Sequence, residues 1–175
     1  MTPYGNIVFF IIIGILLLPT IILGLREKSA KGYNIFVSII VLALIFGNSL
    51  NGTISLILFT VFQLLLIIAY QKYRLQKNSG TVFIVAVLLS ILPLVLVKVL
   101  PILGLHHLFG FLGVSYITFK SVQMILETCD GLIKDKISAI ELAYFLLFFP
   151  TVSSGPIDRW RRFYKDMHAV PSNQD

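Results

Sequence analysis

The stretch Phe149-Pro150-Thr151-Val152-Ser153-Ser154-Gly155-Pro156-Ile157-Asp158-Arg159 decides how this chain folds. Two prolines, a glycine and two serines sit directly after an apolar run, and Trp160, Arg161 and Arg162 follow. Pro150 and Pro156 each lack a backbone donor and fix φ, while Gly155 opens conformations closed to other residues. A plain membrane-spanning helix cannot be built from such residues. Broken backbone at membrane depth survives only where protein or a water-filled cavity satisfies the freed polar groups. On these residues alone the segment is either such a functional break or an ordinary loop after a helix.

Around it the chain is overwhelmingly apolar. Hydrophobic residues form 57% of the 175 and charged residues 13%. A soluble domain carries about a quarter charged residues, so this composition belongs to an integral membrane protein. The net charge of +6 sits mostly in short loops. It is an orientation signal rather than a nucleic-acid footprint, and no nucleic-acid partner is expected. A single cysteine, Cys129, excludes an internal disulfide and any multi-cysteine metal site, and it reads as a small apolar filler. No Lys or Arg precedes the first apolar run and no small-residue cleavage site follows it, so the N-terminus is not read as a secretory signal.

Five spans are expected, at about 6–25, 33–47, 53–70, 81–100 and 108–126. The first holds 20 uncharged residues, enough for about 30 Å of hydrocarbon at 1.5 Å per residue. Pro93 lies inside the fourth, where a kink is expected. The loops at 26–32 and 71–80 carry three Lys or Arg each, whereas 48–52 and 101–107 carry none. The positive-inside rule then puts the N-terminus outside and both basic loops in the cytoplasm.

The next apolar stretch breaks this pattern. Ser138 and Glu141 fit a capping box, yet only about a dozen residues separate them from Phe149, on the order of 18 Å of helix. That is too short to cross, and crossing would leave Arg159, Arg161, Arg162 and Lys165 outside, against the charge rule. A re-entrant or half-spanning segment at about 138–155 resolves both conflicts. Beyond it Trp160, Phe163, Tyr164 and Met167 recur at i, i+3, i+4 and i+7 with basic residues opposite, the pattern of an interfacial helix at about 158–167. The predicted fold class is an all-α polytopic membrane protein, with all of these elements in one membrane domain covering 1–175.

Candidate functional residues follow from depth. On a fifth-span helix Tyr116, Lys120, Gln123, Glu127 and Asp130 form one polar stripe on an apolar body. Glu127 and Asp130 are expected in cytoplasmic water, whereas Lys120 and Gln123 lie deeper, where such groups line a cavity. Lys98, near the outer end of its span, is explained by snorkelling as well as by function. His106 and His107 are adjacent, so they do not make an i, i+4 metal pair, and His168 stands in no motif. A nucleophile elbow, a Walker loop and a dinucleotide fingerprint are all missing. No catalytic residue and no metal ligand is assigned.

Two strings carry a family resemblance: FLGVSYITFKSVQ at 111–123 and FFPTVSSGPIDR at 148–159, supported by MTPYG at 1–5 and SILPLVLVK at 90–98. On these the chain resembles the membrane-bound O-acyltransferase family, and within it the members that D-alanylate lipoteichoic acid in the Gram-positive cell wall. The resemblance runs over nearly the whole chain, and SSGPIDR is its specific part. Members of the family are much longer, so the chain resembles the N-terminal part of one.

The resemblance implies transfer of D-alanine towards lipoteichoic acid or an intermediate acceptor. The donor would be a phosphopantetheine thioester on a cytoplasmic D-alanyl carrier protein, with no cofactor bound by the chain itself. It also implies contact with membrane lipids and with other proteins of the D-alanylation system. Tyr116, Lys120, Gln123, Ser153, Ser154, Gly155, Pro156, Asp158 and Arg159 are the residues it places in or around a central substrate cavity. Arg161, Arg162 and Lys165 are candidates for contact with the carrier or with lipid. The family's general-base histidine stands in a C-terminal motif that these 175 residues do not contain, so the chain alone is expected to be inactive. A non-enzymatic membrane subunit, a transporter fragment and a truncated product are the alternatives. Asp158 and Arg159 are expected to be paired at the membrane boundary, with Arg159 held by Asp158 or by an acid elsewhere in a full-length protein, the other reading being Asp158 as a solvated N-cap.

Overall fold

The computed structural model describes residues 7–47, 49–104, 113–133, 135–153 and 158–169. Among these every regular element is helical: α1 (Ile7–Leu25), α2 (Lys31–Phe46), α3 (Leu50–Gln76), α4 (Gly80–Val99), α5 (Val114–Cys129), α6 (Ala139–Leu147), α7 (Phe149–Ser153) and α8 (Trp160–His168). The chain is an all-helical membrane protein in which α1, α3 and α4 have the length and apolarity to cross a bilayer. Two of the five expected spans are shorter: α2 and α5 have 16 residues each, about 24 Å of helix. The stretch before α5, 105–112, lies outside the described residues. In contrast α3 continues past the expected end of its span to Gln76, so Lys72 and Arg74 are helical rather than in a loop.

Burial shows which helix is central. Along α1 only Phe9 is buried, and along α4 only Ala86 and Ser90, while most of their large apolar side chains are exposed. In water such faces would aggregate; in hydrocarbon they are solvated. On α5 the pattern reverses, with Val114, Ile117, Lys120, Met124, Ile125 and Glu127 all buried. This helix packs against α3, α4, α6 and α7.

Named hydrogen bonds tie the helices together. On α2 the Tyr33 hydroxyl donates to the Leu16 carbonyl (2.8 Å), and Thr20 Oγ1 on α1 donates to Asn34 Oδ1 (2.7 Å). Between α3 and α4 a buried reciprocal pair forms: Gln63 Nε2 donates to the Ser90 carbonyl and Ser90 Oγ to Gln63 Oε1, both at 2.9 Å. Pro93 cannot donate one turn back to Leu89, and Gln63 serves the carbonyl next to that gap. The helix itself continues through the proline to Val99.

One end of the bundle gathers the charges. Arg74 on α3 donates through Nε (3.2 Å) and Nη2 (3.0 Å) to the Cys129 carbonyl, capping the C-terminus of α5. Gln71 donates to the Asp135 carbonyl (2.8 Å) and accepts from the Ile137 amide (3.3 Å), clamping the loop before α6. At the start of α2, Lys31 Nζ donates to Glu141 Oε1 (2.8 Å), and His168 Nε2 lies 3.1 Å from the same oxygen. These bonds bring the ends of α2, α3, α5, α6 and α8 together. Lys28, Lys72, Lys77, Lys136, Arg161, Arg162 and Lys165 are exposed there or on the loops joining those ends. Near the C-terminus of α4 the exposed cation is Lys98.

Candidate functional site

The break between α6 and α7 follows from Pro150. A proline there cannot donate to the Leu146 carbonyl, so α6 must end, and Phe148 leaves the helix at ψ 110°. Pro150 then falls in the first turn of α7, where its missing N–H is not needed. The cost is a set of unpartnered carbonyls at the C-terminus of α6. From α5, Lys120 Nζ donates to the Phe145 carbonyl at 2.7 Å and reaches the Leu146 carbonyl at 3.5 Å. It also donates to Thr151 Oγ1, which in turn donates to the Phe148 carbonyl at 2.9 Å. The ammonium stands 5.1 Å from the centroid of the Phe145 ring, a cation–π distance.

Lys120 is 1% exposed, and among the described residues no carboxylate pairs with it. Its N–H groups are met by the negative end of the α6 dipole and by three oxygens, and the Asp158 carboxylate adds a longer-range attraction. The deep member of the predicted stripe thus staples a broken helix. Gln123 continues the stripe half-buried, with its Oε1 lacking a hydrogen-bond partner among the described residues. Glu127 does not sit in water as expected: it is 6% exposed and its Oε2 has no hydrogen-bond partner among the described residues. The packing of α5 against its neighbouring helices encloses it, whereas Asp130, one turn on, is exposed. Tyr116 is half-buried.

Gly113 sets how closely α7 approaches α5. It has a left-handed φ of +94°, and a Cβ there would lie 2.6 Å from both Cγ1 and the carbonyl oxygen of Val152. Only glycine fits that backbone and that contact. Ser153 ends α7, while Ser154, Gly155 and Pro156 lie outside the described residues.

Three expectations near α8 are corrected. Asp158 and Arg159 do not pair through their side chains: Asp158 Oδ1 accepts from the Arg159 backbone amide at 2.8 Å, and Arg159 is exposed. The N-cap of α8 is Arg159, not Asp158. The capping box before α6 is also not closed. Ser138 is the N-cap but makes no side-chain cap bond, since Glu141 is held by Lys31 and His168 instead.

The apolar face of α8 packs on protein rather than on lipid. Trp160, Phe163 and Met167 are buried. Phe163 meets the rings of Phe145 (5.1 Å), Tyr144 and Phe148 (5.3 Å each), and Trp160 meets Phe145 edge-on at 5.4 Å. Each such pair adds roughly 0.5–1.5 kcal/mol beyond area burial. Spacing alone revealed the face but not what covers it. Arg161, Arg162 and Lys165 point outward, with Arg162 and Asp166 3.8 Å apart.

The geometry gives the segment its shape. The nine residues of α6 rise about 13 Å, and the chain turns where Lys120 holds it. It comes back along the aromatic cluster to His168, beside Glu141 where it began.

Comparison with known proteins places this geometry. No family model matches the chain. It is 57% identical over 173 residues to the teichoic acid D-alanyltransferase of Bacillus subtilis (strain 168), covering 95% of this chain and 44% of the relative. To the protein of the same name from Streptococcus thermophilus it is 42% identical over 176 residues, covering 99% and 42%. To that from Lacticaseibacillus rhamnosus it is 44% identical over 181 residues, covering 97% and 43%. The chain spans less than half the length of these curated relatives. Along almost its whole length the chain is similar to part of these teichoic acid D-alanyltransferases.

Proposed function

We propose that this chain forms part of a membrane O-acyltransferase that passes D-alanine from a cytoplasmic carrier-protein thioester to an acceptor hydroxyl on the way to lipoteichoic acid. The observation that carries the reading is the 57% identity to a teichoic acid D-alanyltransferase across 95% of the chain. Donor and acceptor would come from opposite sides of the membrane. A hairpin that enters from one side and stops at half depth shortens the path between them. In this reading the basic end of the bundle faces the cytoplasm, and Lys120 keeps the α6–α7 turn open at the bottom of that path. Lys120 is a positioning residue here, since its three donor contacts are all to protein oxygens.

A chimaera tests the proposal. In a Gram-positive strain lacking its own teichoic acid D-alanyltransferase, the aligned segment of the B. subtilis relative is replaced by this chain. We expect D-alanine esters to return to the lipoteichoic acid, and residues 1–175 expressed alone to return none. A stably expressed chimaera that restores no ester overturns the reading.

A further inference from the structure

Beside α8 lies a cleft of about 150 Å³ that the proposed transfer does not use. It opens between the loop 132–137 and the outer side of α8. Trp160 and Tyr164 form its aromatic wall, Leu132 and Ile133 its apolar floor, and Lys136 and Arg161 its basic rim, with Asp135 the one acid. Both rim cations are exposed, and neither forms an ion pair among the described residues. We propose that this cleft binds the headgroup of an anionic glycerophospholipid from the surrounding membrane.

The size and chemistry of the cleft favour that occupant. A liquid water occupies about 30 Å³, so the space equals roughly five waters, enough for a phosphodiester and part of its glycerol but not for a folded partner. Lys136 and Arg161 meet the phosphate, and the Arg161 guanidinium presents the planar fork that suits phosphate oxygens. Trp160 and Tyr164 are the amphipathic rings that prefer the headgroup level. Leu132, 45% exposed, offers apolar surface at the cleft against which an acyl chain lies. Because the apolar face of α8 is sealed against α6, the helix holds lipid by charge at its outer side rather than by inserting. The neighbouring exposed cations Arg159 and Lys165 add to the local positive potential, whereas Arg162 is matched by Asp166 3.8 Å away.

The protein supplies its own reporter, since Trp160 is the only tryptophan. The chain is reconstituted in phosphatidylcholine nanodiscs containing a fixed fraction of phosphatidylglycerol, with bromine on the acyl chains of one lipid or the other. We expect brominated phosphatidylglycerol to quench Trp160 more strongly than brominated phosphatidylcholine. The preference should fall about fivefold for each of Lys136→Gln and Arg161→Gln and weaken with added salt. Arg162→Gln, outside the cleft, should keep it. Equal quenching by the two lipids overturns the proposal, as does a preference that survives the double substitution. Displacement of phosphatidylglycerol by a soluble acidic carrier protein with no lipid preference of its own would show a protein-docking surface instead, and would overturn it too. None of these readouts depends on D-alanyl transfer.

Discussion

Lys120 on α5 holds the Phe145 carbonyl on α6 at 2.7 Å, 25 residues further along the chain. That bond, with those to Leu146 and Thr151, is what makes a proline break tolerable inside a buried segment. Replacing Lys120 by Ala removes charge-assisted hydrogen bonds and leaves a cavity. We predict a loss of about 2–4 kcal/mol and faster amide exchange around 145–152. Thermal unfolding in detergent and hydrogen exchange check this. Unchanged stability with unchanged exchange would mean that the turn holds without its staple.

Gly113 provides a matched comparison. Alanine there meets both a left-handed φ and the Val152 carbonyl, so Gly113→Ala should cost roughly 2–4 kcal/mol. Gly131 has a similar φ of +70° with nothing within 4 Å of its Cβ position, and Gly131→Ala should cost only about 1–2 kcal/mol. Equal losses for the two variants would show that strain alone, and not the approach of α7, sets the requirement.

Asp158 and Arg159 should prove energetically minor. With Asp158 accepting, among the described residues, from the Arg159 backbone amide, Asp158→Asn and Arg159→Gln should each cost about 1 kcal/mol or less. A loss of roughly 3–5 kcal/mol for either one would reinstate the buried pair.

The break itself could be read from the residues, because Pro150 and Gly155 forbid a continuous helix whatever surrounds them. The depth of Lys120 was legible for the same kind of reason: its spacing from Gln123 and Glu127 put it on one helical face inside an apolar run. What spacing cannot supply is the identity of the neighbour across that face. Arg74 counts as a loop charge in the sequence, yet it caps α5, because a long flexible cation near a helix C-terminus is drawn to its free carbonyls. Glu127 was expected in water because it lies at the end of an apolar run, and only the packing of α5 against its neighbouring helices buries it. The apolar face of α8 was found correctly but assigned to lipid, since a stripe of Trp, Phe and Met suits a membrane surface and an aromatic cluster equally well.

Lys31, Glu141 and His168 join three elements at the mouth of the hairpin. The groups are partly exposed, so the Lys31–Glu141 coupling should be small. A double-mutant cycle with Lys31→Gln and Glu141→Gln should return about 0.5–1 kcal/mol. A coupling of zero would mean that the aromatic cluster alone holds α8 in place.

The central claim is that the segment from Ala139 to His168 enters and leaves on one side of the membrane. Its most direct test uses single cysteines at Asn51, Lys136 and Lys165 in a Cys129→Ser background, treated with a membrane-impermeant maleimide in intact and in permeabilised cells. We predict that Asn51→Cys labels in intact cells, and that Lys136→Cys and Lys165→Cys both label only after permeabilisation. Labelling of Lys136→Cys and Lys165→Cys from opposite sides would contradict the account.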